Sequence, residues 1–242
     1  MSQHLCVIPA RGGSKGLPRK NVLEVAGVPT IAYTIRAARE SGLFGDHVYV
    51  ASDDDEIIEI SREYGARVPY REPDEMAGDT VSSTVPVIWL YEKLVDERQL
   101  DFDWIWNLQP TSPLRTPGDI REAADSLEAQ PEADFLASTT PIDPHYFHWA
   151  LRESKEVQGF YELWFPDFLV ERPKLPPVHR PNGAIKVGRP EPLVDNGSVF
   201  GPNLTTSTIP EHRSIHIRSE FDRKKTEFIL EEYPEEFEWM QP

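Results

Sequence analysis

The stretch Ile8-Pro9-Ala10-Arg11-Gly12-Gly13-Ser14-Lys15-Gly16-Leu17-Pro18-Arg19-Lys20-Asn21 decides how the rest of the chain is interpreted. An apolar run, Leu5 to Ile8, leads into it and stops at Pro9, and apolar periodicity resumes only at Val28. This order predicts a buried first strand that ends in a loop at the edge of a sheet. Three glycines and four cationic residues occupy the loop, although the chain carries a formal net charge of −16.

A loop of this composition after a first strand favours a polyphosphate ligand. Gly12, Gly13 and Gly16 have no side chains, so backbone N–H groups can approach a ligand closely. Cations neutralise phosphate charge, and the end of a first strand is a usual nucleotide position in open α/β sheets. The loop matches neither the Walker spacing nor the dinucleotide Gly-x-Gly-x-x-Gly pattern. The alternative is an ordinary solvated loop that carries several cations.

The order of the first elements predicts the fold class. A helix beginning near Ile31, a strand at His47 to Ala51, a helix at Glu56 to Tyr64 and a short strand at Arg67 to Tyr70 give the order β-α-β-α-β. This order is typical of an α/β protein with a doubly wound, mostly parallel sheet. The length of 242 residues fits one such domain over residues 1–242, with a small inserted arm.

Composition argues against several classes of protein. The acidic balance disfavours nucleic acid as a partner, and the absence of 18 consecutive apolar residues disfavours a membrane span. The first residues lack the regions of a signal peptide, and Cys6, the single cysteine, cannot form an internal disulfide. A cytoplasmic location is therefore expected. The acidic run Asp53 to Asp55 is expected to cap a helix, with metal binding as the alternative.

The opening stretch closely resembles the N-terminal signature of the acylneuraminate cytidylyltransferases, the CMP-sialic acid or CMP-nonulosonic acid synthetase family, and further matches extend to about Asp222. The resemblance implies a nucleotide-diphospho-sugar transferase-like fold, a homodimer, and transfer of CMP from CTP to an acidic 2-keto sugar. It implies that Arg11, Lys15 and Lys20 act in catalysis by neutralising the triphosphate. The nucleotide-binding positions that it carries over are Ala10, Arg11, Gly12, Gly13, Ser14, Lys15 and Asn21.

Residues 71–83 resemble the family's cytosine-holding loop, "Arg-Pro-x-x-Leu-Ala-x-Asp-x-x-Ser-Ser", but contain one extra residue. By this resemblance Arg71, Ser82 and Ser83 are expected to bind the base. The alternative is that Arg71 pairs with nearby acids and that one of the serines caps the next helix. The extra residue leaves the register of the match open by one position.

Three further stretches match motifs that face the acceptor sugar in the family. They are Gln109 to Arg115, at the end of a strongly apolar strand, Arg180 to Ile185, and Asn196 to Phe200, which resembles a strand of the acceptor pocket. A carboxylate-bearing sugar suits a bidentate cation, which favours an arginine. For the glutamine, a strand-end hydrogen bond to backbone is the alternative. The substrate-binding positions implied are Gln109, Arg180, Asn182, Asn196 and Phe200.

Prolines and aromatic residues crowd residues 141–192, where regular helix is not expected. Members of the family carry a dimerisation arm here, so the resemblance implies that this segment crosses to a partner chain. A segment rich in proline and aromatic residues suits an interface, and packing on its own chain is the alternative. Lys174 and Lys186 rank behind Arg180 as cations for the sugar carboxylate.

The metal site departs from the family pattern. The family ends its active site with the form Ile-Asp-Ile-Asp-x-x-x-Asp, whereas this chain has Ile215-His216-Ile217-Arg218-Ser219-Glu220-Phe221-Asp222. Two carboxylates have become His216 and Arg218, and only Asp222 remains as a candidate metal ligand. Mg²⁺ prefers oxygen ligands, and an arginine cannot coordinate it.

Three explanations of this departure stay open. Mg²⁺ arrives with the nucleotide, bound mainly by phosphates and water. Arg218 itself acts in catalysis by supplying positive charge to the phosphates. Or the chain has kept the fold and lost nucleotidyl transfer. An alternating strand with Ile215 and Ile217 inward would place His216 and Arg218 together on the other face, while pairing of Arg218 with the acids that follow it is the ordinary alternative.

The sequence thus predicts a cytidylyltransferase that activates a nonulosonic or sialic-type acid, with Mg²⁺ as a cofactor whose arrival with the nucleotide is one of the three open explanations. Transfer to another sugar and use of another nucleoside triphosphate are alternatives within enzymes. A catalytically inactive nucleotide- or sugar-binding homologue is the alternative from a different class.

Overall fold

The structure, a computed structural model, describes residues 2–13, 16–76, 78, 81–165, 167 and 170–240. Its strands are β1 (His4–Pro9), β2 (Glu24–Val25), β3 (Val28–Pro29), β4 (Val48–Ala51), β5 (Trp104–Leu108), β6 (Phe135–Ile142), β7 (Leu151–Glu153), β8 (Tyr161–Leu163), β9 (Val178–Gly188) and β10 (Leu204–Thr208). Its helices are α1 (Thr30–Glu40), α2 (Asp55–Glu63), α3 (Val85–Arg98), α4 (Pro117–Glu128), α5 (Pro144–His148), α6 (Pro190–Asn196) and α7 (Glu220–Glu232). No helix in this part of the chain is long and apolar enough to cross a lipid bilayer.

Six strands form one central sheet in the order β10-β6-β9-β5-β1-β4. Strand β1 pairs in parallel with β4 and β5, and β10 pairs in parallel with β6. Strand β9 runs antiparallel between β5 and β6. The predicted mostly parallel sheet is confirmed. Two short antiparallel hairpins, β2 with β3 and β7 with β8, lie outside this sheet.

Helices bury the central sheet on both faces, because successive side chains of a strand point to opposite sides. From β1, Cys6 and Ile8 join a core cluster with side chains of α1, α2 and α4. Leu5 and Val7 join a second cluster with Leu90 of α3. All four β1 side chains are fully buried. This two-sided packing is the doubly wound arrangement that the element order predicted.

Polar side chains fix the starts of the two helices nearest the glycine loop and the site. Asp54 accepts a hydrogen bond from the backbone N–H of Ile57 at 3.0 Å and begins α2. Ser219 and Asp222 form a capping box at the start of α7, where the side chain of each accepts from the backbone of the other. Both arrangements satisfy N–H groups that a helix start leaves unpaired. The predicted capping role is confirmed for Asp54.

The predicted third strand at Arg67 to Tyr70 is reduced to a single bridge. Arg67 pairs in parallel with Tyr49 of β4. One residue later, the carbonyl of Val68 accepts from the guanidinium of Arg62 at 3.0 Å. Arg67 makes both of its backbone hydrogen bonds to β4, so the next residue to face β4 is Pro69, which has no N–H group to donate, and the pairing ends there.

The predicted arm, residues 141–192, lies only partly outside the central sheet. It includes β9, whose 11 residues pair with both β5 and β6. The part outside the sheet, residues 143–177, contains α5 and the β7–β8 hairpin. The expectation that regular helix is absent was wrong for α5. Pro144 occupies the first turn, where proline is tolerated, and Asp143 accepts from the backbone N–H of His145 at 3.0 Å.

Candidate active site

Two adjoining cavities lie where the loops after β1 and β5 meet the segment before α7. The first, named the loop cavity, is lined by residues that include Ala10, Arg11, Lys20, Asn21, Glu72, Met76, Ser82 and Ser83. The second, named the β9 cavity, is lined by residues that include Arg180, Asn182, Lys186, Phe200, Arg218, Asp222 and Lys225. Gln109 and His216 line both. A ligand in one cavity can therefore meet a ligand in the other at these two side chains.

The cavities open at the carboxyl ends of parallel strands. Pro9 is the last residue of β1, and Gln109 directly follows β5; both line the loop cavity. This edge is where ligands bind in open α/β sheets. Because β1 and β5 are parallel neighbours, the glycine loop and the Gln109 loop leave the sheet at the same edge and lie side by side.

Acidic residues of the β4–α2 turn hold the glycine loop in place. The backbone N–H of Gly12 donates to Asp53 at 2.8 Å, and Arg19 pairs with Asp54 at 2.5 Å and with Glu56. A Cβ atom at Gly12 would lie 2.6 Å from Oδ2 of Asp54, so only glycine fits without a shift. The hydrogen bond from Arg19 acts most strongly to lower the pKa of Asp54. The acidic run is a loop anchor as well as a helix cap.

The predicted cations of the loop have different surroundings. Arg11 and Lys20 line the loop cavity, and the guanidinium of Arg11 also donates to the carbonyl of Gly78 across the cavity mouth. Burial, and then the guanidinium groups of Arg11 and Arg218, lowers the pKa of Lys20. Gly13 is exposed and lines neither cavity. The predictions for Ser14 and Lys15 concern positions outside the described residues.

Asn21 and Ala10 form part of the wall nearest β1. The amide of Asn21 donates to the carbonyl of Arg11 at 2.9 Å, and its buried Oδ1 has no hydrogen-bond partner within the described ranges. That oxygen is an acceptor available for a ligand hydroxyl. Ala10 is fully buried, and its backbone N–H donates to Ala51 at 2.8 Å. Ala10 therefore shapes the wall without offering its own N–H group.

The residues predicted to bind the base divide into two groups. Ser82 and Ser83 line the loop cavity, and the hydroxyl of Ser82 also accepts from the backbone N–H of Thr84 at 3.3 Å. Arg71 lines neither cavity and forms an ion pair with Asp55, with half of its side chain exposed. The alternative of pairing with a nearby acid describes Arg71 correctly, because the acidic start of α2 is the nearer partner.

Glu72 lines the loop cavity and was missed by the sequence analysis. Only 2% of it is exposed, and its Oε2 has no hydrogen-bond partner among the residues that the structure describes. Burial, together with the carboxylate of Asp53, raises the pKa of Glu72 to about 7, against the opposing charge of Arg11. A signal was present in the sequence. When the family motif is anchored on Pro73, it continues without a gap through Ser83, and Glu72 takes the position of the family's arginine.

Of the residues predicted to bind the acceptor, four line the β9 cavity and one does not. Gln109, Arg180, Asn182 and Phe200 line it, and Asn196 lies outside it. Gln109 lies between the cavities and donates to the side chain of Asn107 at 2.7 Å. Arg180 and Phe200 are exposed side chains of the β9 cavity. Lys186, also in this cavity, donates to the hydroxyl of Ser83 at 3.5 Å, and burial lowers its pKa.

Asn182 has a supporting position rather than the predicted contact with a sugar. It is 4% exposed, and its amide is used inside the protein. Its Oδ1 accepts from the hydroxyl of Ser138 at 2.5 Å and from the backbone of Ala184 at 3.1 Å, while its Nδ2 donates to Ser214 at 3.0 Å. These bonds join β6, β9 and the segment before α7, and so hold the floor of the β9 cavity.

Asn196 and Lys174 do not reach the β9 cavity. Asn196 ends α6 and donates to the carbonyl of Ser198 at 2.6 Å. The predicted strand at Asn196 to Phe200 is absent, because the helix ends at Asn196 in a left-handed Gly197 and the next strand begins at Leu204. Lys174 pairs with Glu171 at 2.7 Å outside either cavity.

The segment Ile215 to Arg218 is not the predicted strand. Its one backbone link across to the Gln109 loop is the N–H of Ile217, which donates to Thr111 at 2.8 Å. Ile217 is buried, His216 is half-buried and Arg218 is exposed. His216 and Arg218 nevertheless both line the β9 cavity, and His216 alone of the two also lines the loop cavity.

Positive charge surrounds the place where the family has its aspartates. The hydroxyls of Thr111 and Ser112 lie 3.0 and 3.2 Å from ring nitrogens of His216. Burial, and then the charges of Arg218, Lys20 and Lys186, lowers the pKa of His216 to about 4. The imidazole is therefore neutral near pH 7.

These residues do not fit a protein-held magnesium ion. Oδ2 of Asp222 accepts from the backbone of Arg218 and Ser219 and from the Ser219 hydroxyl, at 2.8 to 3.0 Å. Burial acts to raise the pKa of Asp222, but the hydrogen bonds from Ser219 and Arg218 outweigh it, so the pKa is lowered. Across the described ranges, no group of three acidic, histidine or cysteine side chains could hold a metal ion. Asp222 is a helix cap in a cationic setting.

Comparison with known proteins identifies the family. The sequence model of the cytidylyltransferase family matches residues 5–148. The chain is 32% identical over 211 residues to the pseudaminic acid cytidylyltransferase of Campylobacter jejuni subsp. jejuni, over 87% of this chain and 88% of that protein. It is 33% identical over 232 residues to the CMP-N,N'-diacetyllegionaminic acid synthase of Legionella pneumophila subsp. pneumophila, over 94% of this chain and 96% of that protein.

A solved structure supports the same fold. The CMP:2-keto-3-deoxy-manno-octonic acid synthetase complexed with CTP superposes with a TM-score of 0.72 at 16% identity, over 96% of this chain and 99% of that one. The predicted resemblance to CMP-nonulosonic acid synthetases is confirmed, and the protein is a nucleotidyltransferase: the chain belongs to the cytidylyltransferase family.

Proposed function

We propose that the protein transfers CMP from CTP to the anomeric hydroxyl of an acidic 2-keto sugar of the nonulosonic type. The hydroxyl oxygen forms a bond to the α-phosphorus, the bond between that phosphorus and the bridging oxygen to the β-phosphate breaks, and pyrophosphate leaves. The hydroxyl proton passes to solvent. The observation that carries the proposal is the pair of adjoining cavities that share Gln109 and His216.

The loop cavity suits the nucleotide. Arg11 and Lys20 supply positive charge, and the free Oδ1 of Asn21 can accept from a ribose hydroxyl. Phosphoryl transfer needs positioning and charge neutralisation more than covalent help from the protein. The proposed roles of Ser82 and Ser83 follow from their place around the same cavity, while Gly12 is proposed to act through the glycine loop that it helps to position against Asp53.

The β9 cavity suits an acidic sugar. It brings cations together in a chain whose net charge is −16. The cations are Arg180, Lys186, Arg218 and Lys225, against the acids Glu211 and Asp222. Arg180 is exposed at the mouth, where a bidentate guanidinium can take a carboxylate. Two of the relatives are named for acids, pseudaminic acid and N,N'-diacetyllegionaminic acid, which supports a substrate of this class.

Arg218 is proposed to supply to the phosphates part of the positive charge that a protein-bound metal ion would otherwise provide. Its side chain forms no ion pair with Glu220 or Asp222 in the described part of the chain, since Glu220 pairs with Arg223 at 2.6 Å. Its charge reaches both Lys20 and His216. Mg²⁺ would then accompany the nucleotide, held by phosphate oxygens and water.

The segment outside the sheet is proposed to form a homodimer interface. Large aromatic side chains are exposed there, including Tyr146 at 82%, Phe160 at 67%, Tyr161 at 65% and Trp164 at 53%. A group of exposed aromatics of this size on one segment is typical of an interface. We also propose a cytoplasmic location, since Cys6 is a free, buried thiol and CTP is an intracellular nucleotide.

An inactive homologue is the second candidate, and His216 and Arg218 are the observation that favours it. Purified protein incubated with CTP, Mg²⁺ and a panel of 2-keto sugar acids separates the two, with pyrophosphate and CMP-sugar as readouts. Product with at least one nine-carbon acid supports the proposed function. CTP binding without product for every acid supports the inactive homologue.

A further inference from the structure

Glu72 is a buried carboxyl group in the wall of the loop cavity that no step of the proposed transfer uses. Its backbone N–H donates to Ser52 at 2.9 Å, which fixes the residue at the edge of the sheet beside β4. It is 2% exposed, and its Oε2 has no partner among the described residues. An unsatisfied buried carboxyl oxygen costs free energy unless a ligand supplies a donor.

The surroundings of Glu72 suit a nucleoside base. Met76, Val81 and Pro86 line the loop cavity together with Glu72 and offer apolar surface. A base has flat apolar faces and polar edges, so it matches an apolar wall that contains one buried polar group. Ser82 and Ser83 line the same cavity.

The charged groups that face Glu72 leave it without a dedicated cation. Asp53, from the β4–α2 turn, raises the pKa of Glu72, and Arg11, from the glycine loop, opposes this effect. Lys20 and the neutral His216 are the other titratable groups that line the cavity among the residues that the structure describes. No ion pair of Glu72 is present within the described ranges, so its carboxyl oxygen is an acceptor held ready for a neutral donor.

We propose that Glu72 determines base specificity by accepting a hydrogen bond from the 4-amino group of cytosine. Carboxylate side chains accept from this amino group where proteins recognise cytosine. Uracil carries a carbonyl oxygen at the same position, which is an acceptor and meets the ionised carboxylate of Glu72 unfavourably. Glu72 would thereby favour CTP over UTP, and it replaces Arg71, which lies outside the cavity, in the recognition of the base.

The inference rests on the proposed use of CTP, and binding of nucleotide without sugar tests it independently of transfer. Affinities of CTP, UTP and GTP are measured by calorimetry for the intact chain and for Glu72→Gln, Glu72→Ala and Glu75→Gln. Glu75 is an exposed acid of the same loop and provides the matched control. A glutamine can turn its amide to donate to the uracil oxygen or to accept from the cytosine amino group.

We expect the unaltered chain to bind CTP roughly tenfold or more tightly than UTP, as for one specific base contact. Glu72→Gln should bring the two affinities to within about threefold, Glu72→Ala should weaken CTP more than UTP, and Glu75→Gln should keep the original preference. Since Glu72→Gln preserves shape, it remains informative if the alanine variant does not fold. An unchanged CTP preference in Glu72→Gln, or a preference of the unaltered chain for UTP or GTP, overturns the proposal. CTP-selective binding without product overturns the proposed function alone.

Discussion

His216 lies against Thr111, with Nε2 of the imidazole 3.0 Å from the hydroxyl oxygen, at the junction of the loop cavity and the β9 cavity. The contact joins the segment before α7 to the loop after β5. The imidazole is neutral near pH 7, because burial and neighbouring cations lower its pKa to about 4. A neutral group therefore occupies the position that matches the first aspartate of the family motif quoted in the sequence analysis, and Arg218 follows two residues later.

This junction leads to a prediction on the dependence of activity on Mg²⁺. The double variant His216→Asp/Arg218→Asp exchanges a neutral group and a cation for two carboxylates, so its rate should depend more strongly on Mg²⁺ than that of the unaltered chain, with the half-maximal rate reached at a lower Mg²⁺ concentration. A fixed cation and a bound divalent ion repel by about 4 kcal/mol per unit-charge pair at about 4 Å and an effective dielectric near 20. Arg218→Ala should lower the rate and the nucleotide affinity, whereas Lys224→Ala, at an exposed position of α7, should leave both unchanged.

Initial rates across a Mg²⁺ titration, with nucleotide affinities measured alongside, check this prediction. If Arg218→Ala is silent in both rate and affinity, Arg218 does not serve the phosphates. If the unaltered chain is inert with every acid and the double aspartate variant turns over, the chain is a decayed enzyme.

The fold could be predicted because its determinants are local and periodic. The apolar run Leu5 to Ile8, the glycine loop after it and the alternation of strand and helix signals fix a parallel sheet with a ligand edge. The predicted short strand at Arg67 is reduced to one bridge because Pro69, the next residue that would pair with β4, has no N–H group to donate. Strand β9 was not separated from the arm, because its partners lie far away in the sequence.

The site could be predicted as a set of loops, but not side chain by side chain. Arg71 and Glu72 are neighbours, yet only the burial of the chain shows that the glutamate faces the cavity and the arginine faces Asp55. Asn182 matches a site motif but spends its amide on internal hydrogen bonds. The motifs therefore predict which segments surround the site, whereas the tertiary contacts determine which side chains of those segments can reach a ligand.

The close approach of Gly12 to Asp54 predicts a specific sensitivity in the loop. In Gly12→Ala the new Cβ would meet Oδ2 of Asp54 at 2.6 Å, and Asp54 is held by Arg19 and by its capping bond to Ile57. Overpacking of this kind typically costs about 1–3 kcal/mol in the free energy of unfolding. Thermal and denaturant unfolding should show the loss in Gly12→Ala and a change within about 0.5 kcal/mol in Gly13→Ala, where the added Cβ would meet no atom of the described residues within 4 Å. Equal effects at both glycines would contradict a steric cause.

The half-buried Lys20 predicts a loss of activity without a loss of fold. Lys20→Ala removes one charge-assisted contact to phosphate. This loss costs about 1.5–3 kcal/mol and should lower kcat/KM roughly ten- to a hundred-fold. Lys174→Ala is the control, since Lys174 pairs with Glu171 outside the cavities. The measurement is kcat/KM for CTP together with the unfolding temperature. Activity of Lys20→Ala within twofold of the unaltered chain would remove the phosphate role.

The exposed aromatics of residues 143–177 predict a dimer at micromolar concentration. Tyr161→Glu places a charge in the β7–β8 hairpin and should shift the chain toward monomer, because a buried unpaired charge is costly at an interface. Phe228→Glu is the matched control, since Phe228 is an exposed aromatic of α7, at 57% against 65% for Tyr161. Light scattering of both variants and of the intact chain is the measurement. A monomeric intact chain would rule out the interface.

The last prediction concerns the dependence of stability on pH that Glu72 confers. Its pKa is raised from 4.5 to about 7 in the folded chain, chiefly by burial and then by Asp53. The folded state therefore keeps a proton that the unfolded state releases, so stability is greatest at low pH and falls as the pH rises from about 4.5 to about 7. Glu72→Gln cannot ionise and lacks this loss. Its free energy of unfolding, relative to the unaltered chain, should rise by about 1–3 kcal/mol between acidic and mildly alkaline pH.

Denaturant unfolding at a series of pH values checks this, with Glu75→Gln as a control that shares the sequence region but is exposed. Parallel curves for Glu72→Gln and the unaltered chain would mean that Glu72 ionises alike in the folded and unfolded states.

Saturating CTP adds a sharper test. Because the 4-amino group of cytosine donates to either state of the carboxyl but most strongly to the ionised one, bound CTP should reduce the loss of stability at high pH in the unaltered chain and leave Glu72→Gln without a pH-dependent gain. If bound CTP reduces the loss of stability that Glu72 causes in the empty protein, the carboxyl group of Glu72 contacts the nucleotide.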